Sequence, residues 1–134
     1  MKRIWMLIVV NILLGSASYS QAKPLDELLS QYQAQSATPF NHNTGKALWT
    51  KTHIDVKSGE KRSCSTCHTD DLRAKGKHAT TNKVIDPLAP SENNERLTDI
   101  KKIEKWLTRN CKWTIGRECT PQEKGDYLTY INAN

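Results

Sequence analysis

Apolar residues recur at helical spacing in several stretches of the chain, and nowhere at the two-residue spacing of a strand. Leu25, Leu28, Leu29 and Tyr32 follow Pro24, with Asp26 and Glu27 near the positive end, and predict a first helix. Gln35 to Asn43 contains Pro39 and small polar residues and reads as a loop before a short second helix over Thr44 to Trp49. Thr50 to Ser63 is polar, carries Gly59, and reads as a surface loop. Asp70 to Asn94 is polar too, apart from a short apolar group at Val84, Ile85 and Leu88 beside Pro87 and Pro90. A stronger helix begins at Thr98-Asp99 and lays Ile100, Ile103, Trp106 and Leu107 on one side, with Asn110 on the same stripe. The closing helix opens at Thr120-Pro121-Gln122-Glu123, a cap followed by proline at the first helical position, and runs through Tyr127, Leu128 and Ile131. The pattern predicts one all-α domain without an internal repeat.

The N-terminus has a different composition. A basic start at Lys2-Arg3, an apolar run from Ile4 to Leu14 and small residues up to Ala22 read as a Sec-type signal peptide over 1–22. The run is shorter than the roughly 20 apolar residues a membrane span needs. The expected product is a periplasmic domain over 23–134 with no stable membrane anchor after cleavage. Cleavage would remove two cations and lower the formal charge from +6 to +4. It also leaves an apolar share of roughly a third, below the usual 45–50% for a globular domain. So small a domain would be marginal by itself, and a buried apolar cofactor would supply the missing core. The lysines are interleaved with acids, as in Asp99 to Lys105, which argues against a nucleic-acid site and suits solvated faces or docking to a redox partner.

Cys64-Ser65-Thr66-Cys67-His68 supplies the chemistry. C-x-x-C-H is the pattern for covalent attachment of haem c. Two thiols at this spacing form thioethers with the two haem vinyl groups, and the next residue, His68, is held beneath the iron as proximal ligand. A carbonyl at or near Pro87 is the expected acceptor for the Nδ1 proton of that histidine, because ligating histidines donate their second nitrogen to a fixed group. A thioredoxin-like site would need a βαβ setting, for which no strand pattern exists. A zinc site would need a second ligand pair, and the remaining cysteines lack C-x-x-C spacing.

The far side of the iron is less determined by the residues. Met1 and Met6 are the only methionines and both fall in the signal peptide, so the His/Met ligation common among small electron carriers is excluded. His42, His53, His78, a lysine, Asn110, water or an open position remain. The histidines lie in polar segments. Asn110 stands on an apolar helix face, where a buried amide needs a partner, although a helix C-cap or a backbone hydrogen bond would serve equally. In an oxidising compartment Cys111 and Cys119 pair as a disulfide closing the Lys112 to Glu118 loop, with Gly116 allowing the turn; a redox-active pair is the alternative.

Three sets of residues resemble a known family. They are Ile103 to Cys111 (IEKWLTRNC) with Ile115 to Pro121 (IGRECTP), Gly45 to Trp49 (GKALW), and Pro87 to Ser91 (PLAPS) in order around the C-x-x-C-H motif. Together they are similar to the SHP (sphaeroides haem protein) type of class I cytochrome c, over essentially the whole of 23–134. The resemblance implies a small class I cytochrome c fold wrapped around one covalent haem c, with Asn110 as a labile distal iron ligand beside a Cys111–Cys119 disulfide. In that family the asparagine leaves on reduction, and the ferrous haem binds oxygen, nitric oxide or carbon monoxide. A dihaem cytochrome c is the implied electron donor. A nitric-oxide-oxidising enzyme is the alternative activity, with Arg109 as a possible anion-stabilising group, and a simple electron-transfer protein that keeps its sixth ligand is the third reading.

Overall fold

The structure is a computed structural model that describes residues 23–134; the expected signal peptide lies outside the described residues. Among the described residues five helices carry the fold: α1 (Pro24–Gln33), α2 (His42–Thr50), α3 (Ser65–His68), α4 (Ile100–Ile115) and α5 (Pro121–Asn132). Among the described residues no helix is long and apolar enough to cross a membrane.

Local chemistry accounts for the helix boundaries. Pro24 starts α1, which buries Leu25, Leu28 and Tyr32. The second helix begins at His42, earlier than the Thr44 expected, because the Asn41 side chain accepts from the Asn43 and Thr44 amides at 2.8 and 3.1 Å. Asp99 caps α4 through the Lys102 amide at 3.1 Å, and Gly116 closes it in the left-handed conformation. At α5, Thr120 and Glu123 form a reciprocal capping box.

Arg117 adds a fork onto Glu123, 2.8 Å to each carboxylate oxygen. That hydrogen-bonded guanidinium chiefly pulls the Glu123 carboxyl down to about 2 from 4.5, against an opposing effect of burial. A depressed acid contributes stability above its unfolded pKa and loses it as pH falls toward the folded one. Glu123→Gln is therefore expected to lower the melting temperature at about pH 6, with the gap to wild type closing between about pH 4.5 and 2. Circular-dichroism melts across that range check it; a gap that stays constant contradicts the assignment.

The two long polar segments each contain a short antiparallel ribbon that the sequence pattern did not reveal. β1 (His53–Ile54) pairs with β2 (Lys61–Arg62), and β3 (Gly76–Lys77) pairs with β4 (Val84–Ile85). Strands of two residues are too short to show a period.

The core has two parts. Leu25, Leu28 and Tyr32 of α1 meet Ile103 of α4 and Leu128 of α5 in one cluster. Trp49, Leu72, Ala89, Cys111, Cys119, Tyr127, Tyr130 and Ile131 make the other, with Cys64 and Leu88 packed against it. The haem-attachment motif thus borders the second cluster. At the crossing of α2 and α5 the backbones come so close that a methyl group on Gly45 would overlap the Asp126 carbonyl. Asp126 is buried there, and its carboxylate accepts from the Asn41 amide at 2.7 Å.

Candidate haem site

The Cys64–His68 segment forms a single helical turn, α3, braced from within. The Ser63 amide donates to Thr66 Oγ1 at 2.9 Å, and the Ser63 hydroxyl lies within 3.1 Å of the same oxygen and 2.9 Å of Ser65 Oγ. The His68 amide closes the turn on the Cys64 carbonyl at 3.2 Å. Thr69 then leaves it with φ +63°, a strained setting for a β-branched residue. Its carbonyl is fixed by the Trp49 indole Nε1, which donates to it at 2.9 Å.

Each donor has its own surroundings. Cys64 packs against the second cluster beside Tyr127, and burial pushes its thiol up to about 11. Cys67 accepts a contact from the Ala79 amide at 3.4 Å, so the β3–β4 ribbon lies over it. The two are free thiols, while Cys111 and Cys119 are joined as a disulfide. His68 is held down to about 4, first by burial and then by the charge of Arg96, which keeps the imidazole neutral and its lone pair available.

The Pro87 carbonyl is engaged differently from the expectation. It accepts from Arg96 Nε at 2.9 Å, with Nη2 of the same arginine on the Asp86 carbonyl at 2.9 Å. No hydrogen bond from His68 to Pro87 is formed among the described residues. The loop that carries Pro87 is pinned by the Leu88 and Ala89 amides, which both donate to the Leu72 carbonyl.

The candidates for the far side of the iron take up separate places, and the buried Nδ1 of His42 and Nε2 of His53 have no hydrogen-bond partner among the described residues. His42 starts α2 and packs edge-on against Tyr130, with ring centroids 5.2 Å apart. His53 sits in β1 with its pKa lowered, mainly by burial and then by Lys51. His78 accepts the Thr80 and Thr81 amides on Nδ1, each at 3.2 Å, and so serves its own turn. Among the described residues no three His, Cys, Asp or Glu side chains converge to hold a bare metal ion.

Asn110 differs from its expected setting in two respects. The helix continues through Ile115, so Asn110 is not a C-cap, and its side chain forms no hydrogen bond among the described residues. It is also exposed, where the stripe had placed it inward. The reason is geometric: Ile103 and Cys111 take the side of α4 that meets the core, while Trp106, Asn110 and Trp113 fall on the adjoining flank. Trp106 is 48% exposed. Arg109 stacks on that ring at 5.4 Å.

This arrangement can be compared with known proteins. Residues 35–131 match the family described as Domain of unknown function (DUF1924). The Cytochrome c-type protein SHP of Cereibacter sphaeroides is 40% identical over 127 residues, spanning 95% of this chain and 96% of that protein. The chain belongs to the SHP family of c-type cytochromes. Cytochrome c'' of Methylophilus methylotrophus is a more distant relative of this SHP family member, 31% identical over 98% of the chain and 94% of its own length. The solved structure of oxidised SHP, described as an oxygen-binding cytochrome c, superposes with a TM-score of 0.73 at 39% identity, covering 82% of this chain and 96% of that one. Oxidised cytochrome c'' from Methylophilus methylotrophus gives 0.71 at 33% identity, covering 81% and 92%.

As an SHP family member the protein has the class I cytochrome c fold and carries covalently bound haem c. Its own residues fit that group. Two free thiols and a neutral imidazole share one turn, the donor set that covalent haem attachment and proximal ligation need. Beside the motif runs a groove of about 540 Å³ lined by Arg62, Thr66, Ala79 and Trp113 among others.

Proposed function

We propose that this chain is an exported, periplasmic redox protein that accepts an electron and then binds a diatomic gas at a position closed by Asn110 in the oxidised state. In this reading Cys64 and Cys67 form the thioether links, His68 is the proximal ligand and Asn110 the distal, labile one. The bound haem supplies an electron-accepting iron and a coordination position for oxygen, nitric oxide or carbon monoxide. A dihaem cytochrome c or another redox protein is the electron donor, and 1–22 is the export signal.

The observation that carries the reading is the setting of Asn110. Its amide has no hydrogen bond among the described residues, caps no helix, and stands between Trp106 and Trp113 on a helix flank. A neutral amide oxygen is a weak, hard donor that suits ferric iron better than ferrous. Asn110 therefore gives way on reduction where an imidazole would stay, and its amide hydrogens become available to a bound ligand. Because the side chain does not ionise, its departure needs no proton. Two relatives support this direction: one solved structure is described as an oxygen-binding cytochrome c, and the solution structure of cytochrome c'' addresses haem-ligand detachment.

The test is a set of anaerobic absorption spectra of the haem-loaded protein, ferric and dithionite-reduced, with and without carbon monoxide, alongside Asn110→Ala. The expected wild type is six-coordinate when ferric, becomes high-spin on reduction and shifts with carbon monoxide, whereas the variant is already open when ferric. A ferrous spectrum that stays low-spin and ignores carbon monoxide would make the protein an electron carrier with a retained ligand.

A further inference from the structure

Arg62 lies two residues before Cys64 and is only 14% exposed along its side chain, yet it belongs to no part of the haem motif. Its guanidinium joins the β1–β2 turn to α4. Nη1 donates to Asp55 Oδ2 at 2.7 Å and to the Trp113 carbonyl at 3.2 Å, and Nη2 donates to Glu60 Oε2 at 2.9 Å. The guanidinium carbon also stands 4.5 Å from the centre of the Trp113 ring. Asp55 is itself held in place, accepting from the Lys57 and Ser58 amides and the Ser58 hydroxyl within 3.0 Å.

Trp113 belongs to the last turn of α4, whose carbonyls have no partner inside the helix and form its negative end. A cation there satisfies one such carbonyl and stacks on the indole above it, two contacts that a lysine cannot make together. Trp113 follows Asn110 by three residues and so occupies the same flank of the helix. On the other side, Cys111 ties the same turn to the start of α5 through Cys119. Asn110 thus sits between two attachments, one to α5 and one to the segment that enters the haem motif.

We infer that Arg62 is a positioning residue for the distal ligand: by holding Trp113 it sets where Asn110 stands relative to the Cys64–His68 turn. The inference rests on the reading of Asn110 as the ferric iron's ligand. With the clamp intact, the amide is presented at a fixed distance and competes with any external ligand. Without it, the flank of α4 that carries Asn110 and Trp113 loses its tie to the β1–β2 turn, while the disulfide and the packing of Thr114 and Ile115 still hold the opposite side, and the amide spends less time in place.

The experiment titrates the ferric, haem-loaded protein with imidazole at about pH 8, a neutral probe under that condition, so that the lost charge of Arg62 does not itself change the affinity. Removing an internal competitor tightens apparent binding, so Arg62→Gln should bind imidazole roughly tenfold tighter than wild type, and Arg62→Lys about threefold tighter. In the Asn110→Ala background, Arg62→Gln should change the affinity by less than about twofold, because nothing is left to position. Equal tightening in both backgrounds, or unchanged affinity in the single variant, overturns the clamp while leaving the distal-ligand reading standing. An Asn110→Ala protein that binds imidazole as wild type does removes that reading and this inference with it. If Arg62→Gln fails to fold, Glu60→Gln, which deletes the exposed partner only, should move the affinity in the same direction by less; no movement counts against the clamp.

Discussion

Trp49→Ala is expected to destabilise the haem-loaded protein by about 3–5 kcal/mol, the range for deleting a large buried aromatic side chain. The indole is 4% exposed and packs against Tyr127 and Tyr130, with ring centroids 6.4 and 6.0 Å away. It also stands 5.7 Å from the His68 ring and donates to the Thr69 carbonyl at the strained exit from the motif. The substitution therefore removes packing and the restraint on the residue after His68 together. Denaturant titration of the loaded protein measures the first. Trp49→Phe separates the two, since it keeps most of the apolar volume but frees the carbonyl; its cost should be about 1–2 kcal/mol, with the midpoint of reduction displaced from wild type. A Trp49→Ala protein as stable as wild type would contradict the placement of this ring.

Gly45→Ala should be nearly as damaging although it adds one carbon. The added methyl meets the Asp126 backbone and the Tyr130 Cβ, neither of which can rotate away, so α2 and α5 must separate. Overpacking of this kind costs about 1–3 kcal/mol, and more when backbone is the obstacle. Separation would also disturb Asp126, whose buried carboxylate holds the Asn41 amide that leads into α2. Thermal melts should show a fall of about 10 °C or more for a domain of this size. Gly59→Ala provides the contrast: nothing lies within 4 Å of the new methyl, and only the φ of +73° opposes it. A loss no larger at Gly45 than at Gly59 would refute the tight crossing.

The elements that the sequence disclosed are those whose signals are local. Pro24 and the Thr120-Pro121-Gln122-Glu123 start lie within a turn of the boundaries they set, and the structure keeps both of them. C-x-x-C-H is likewise a contiguous pattern, with Cys64 at the N-cap of one short helix and Cys67 and His68 within it. What could not be read depended on partners remote in the chain. The two ribbons are fixed by pairing across turns, not by their composition. Asn110 was placed inward by spacing alone, but which side of α4 faces the core is decided by α1 and α5. Arg62 looked like one basic residue in a polar loop; its meaning depends on Trp113, 51 positions later. The Pro87 carbonyl is a similar case, since the arginine that reaches it lies on a loop with no recognisable motif.

The first cluster of the core has a consequence for how the chain reaches this shape. Leu25, Leu28 and Tyr32 are among the earliest of the described residues to leave the ribosome, and Leu128, against which they pack, is among the last. A contact spanning so much of the polypeptide has to be closed against a large loss of chain freedom, which slows acquisition of the native state. Until the final helix is available, the apolar face of the first has nothing to cover it. A nascent chain therefore keeps that face uncovered until α5 has followed, and this half of the core closes only once both helices are present.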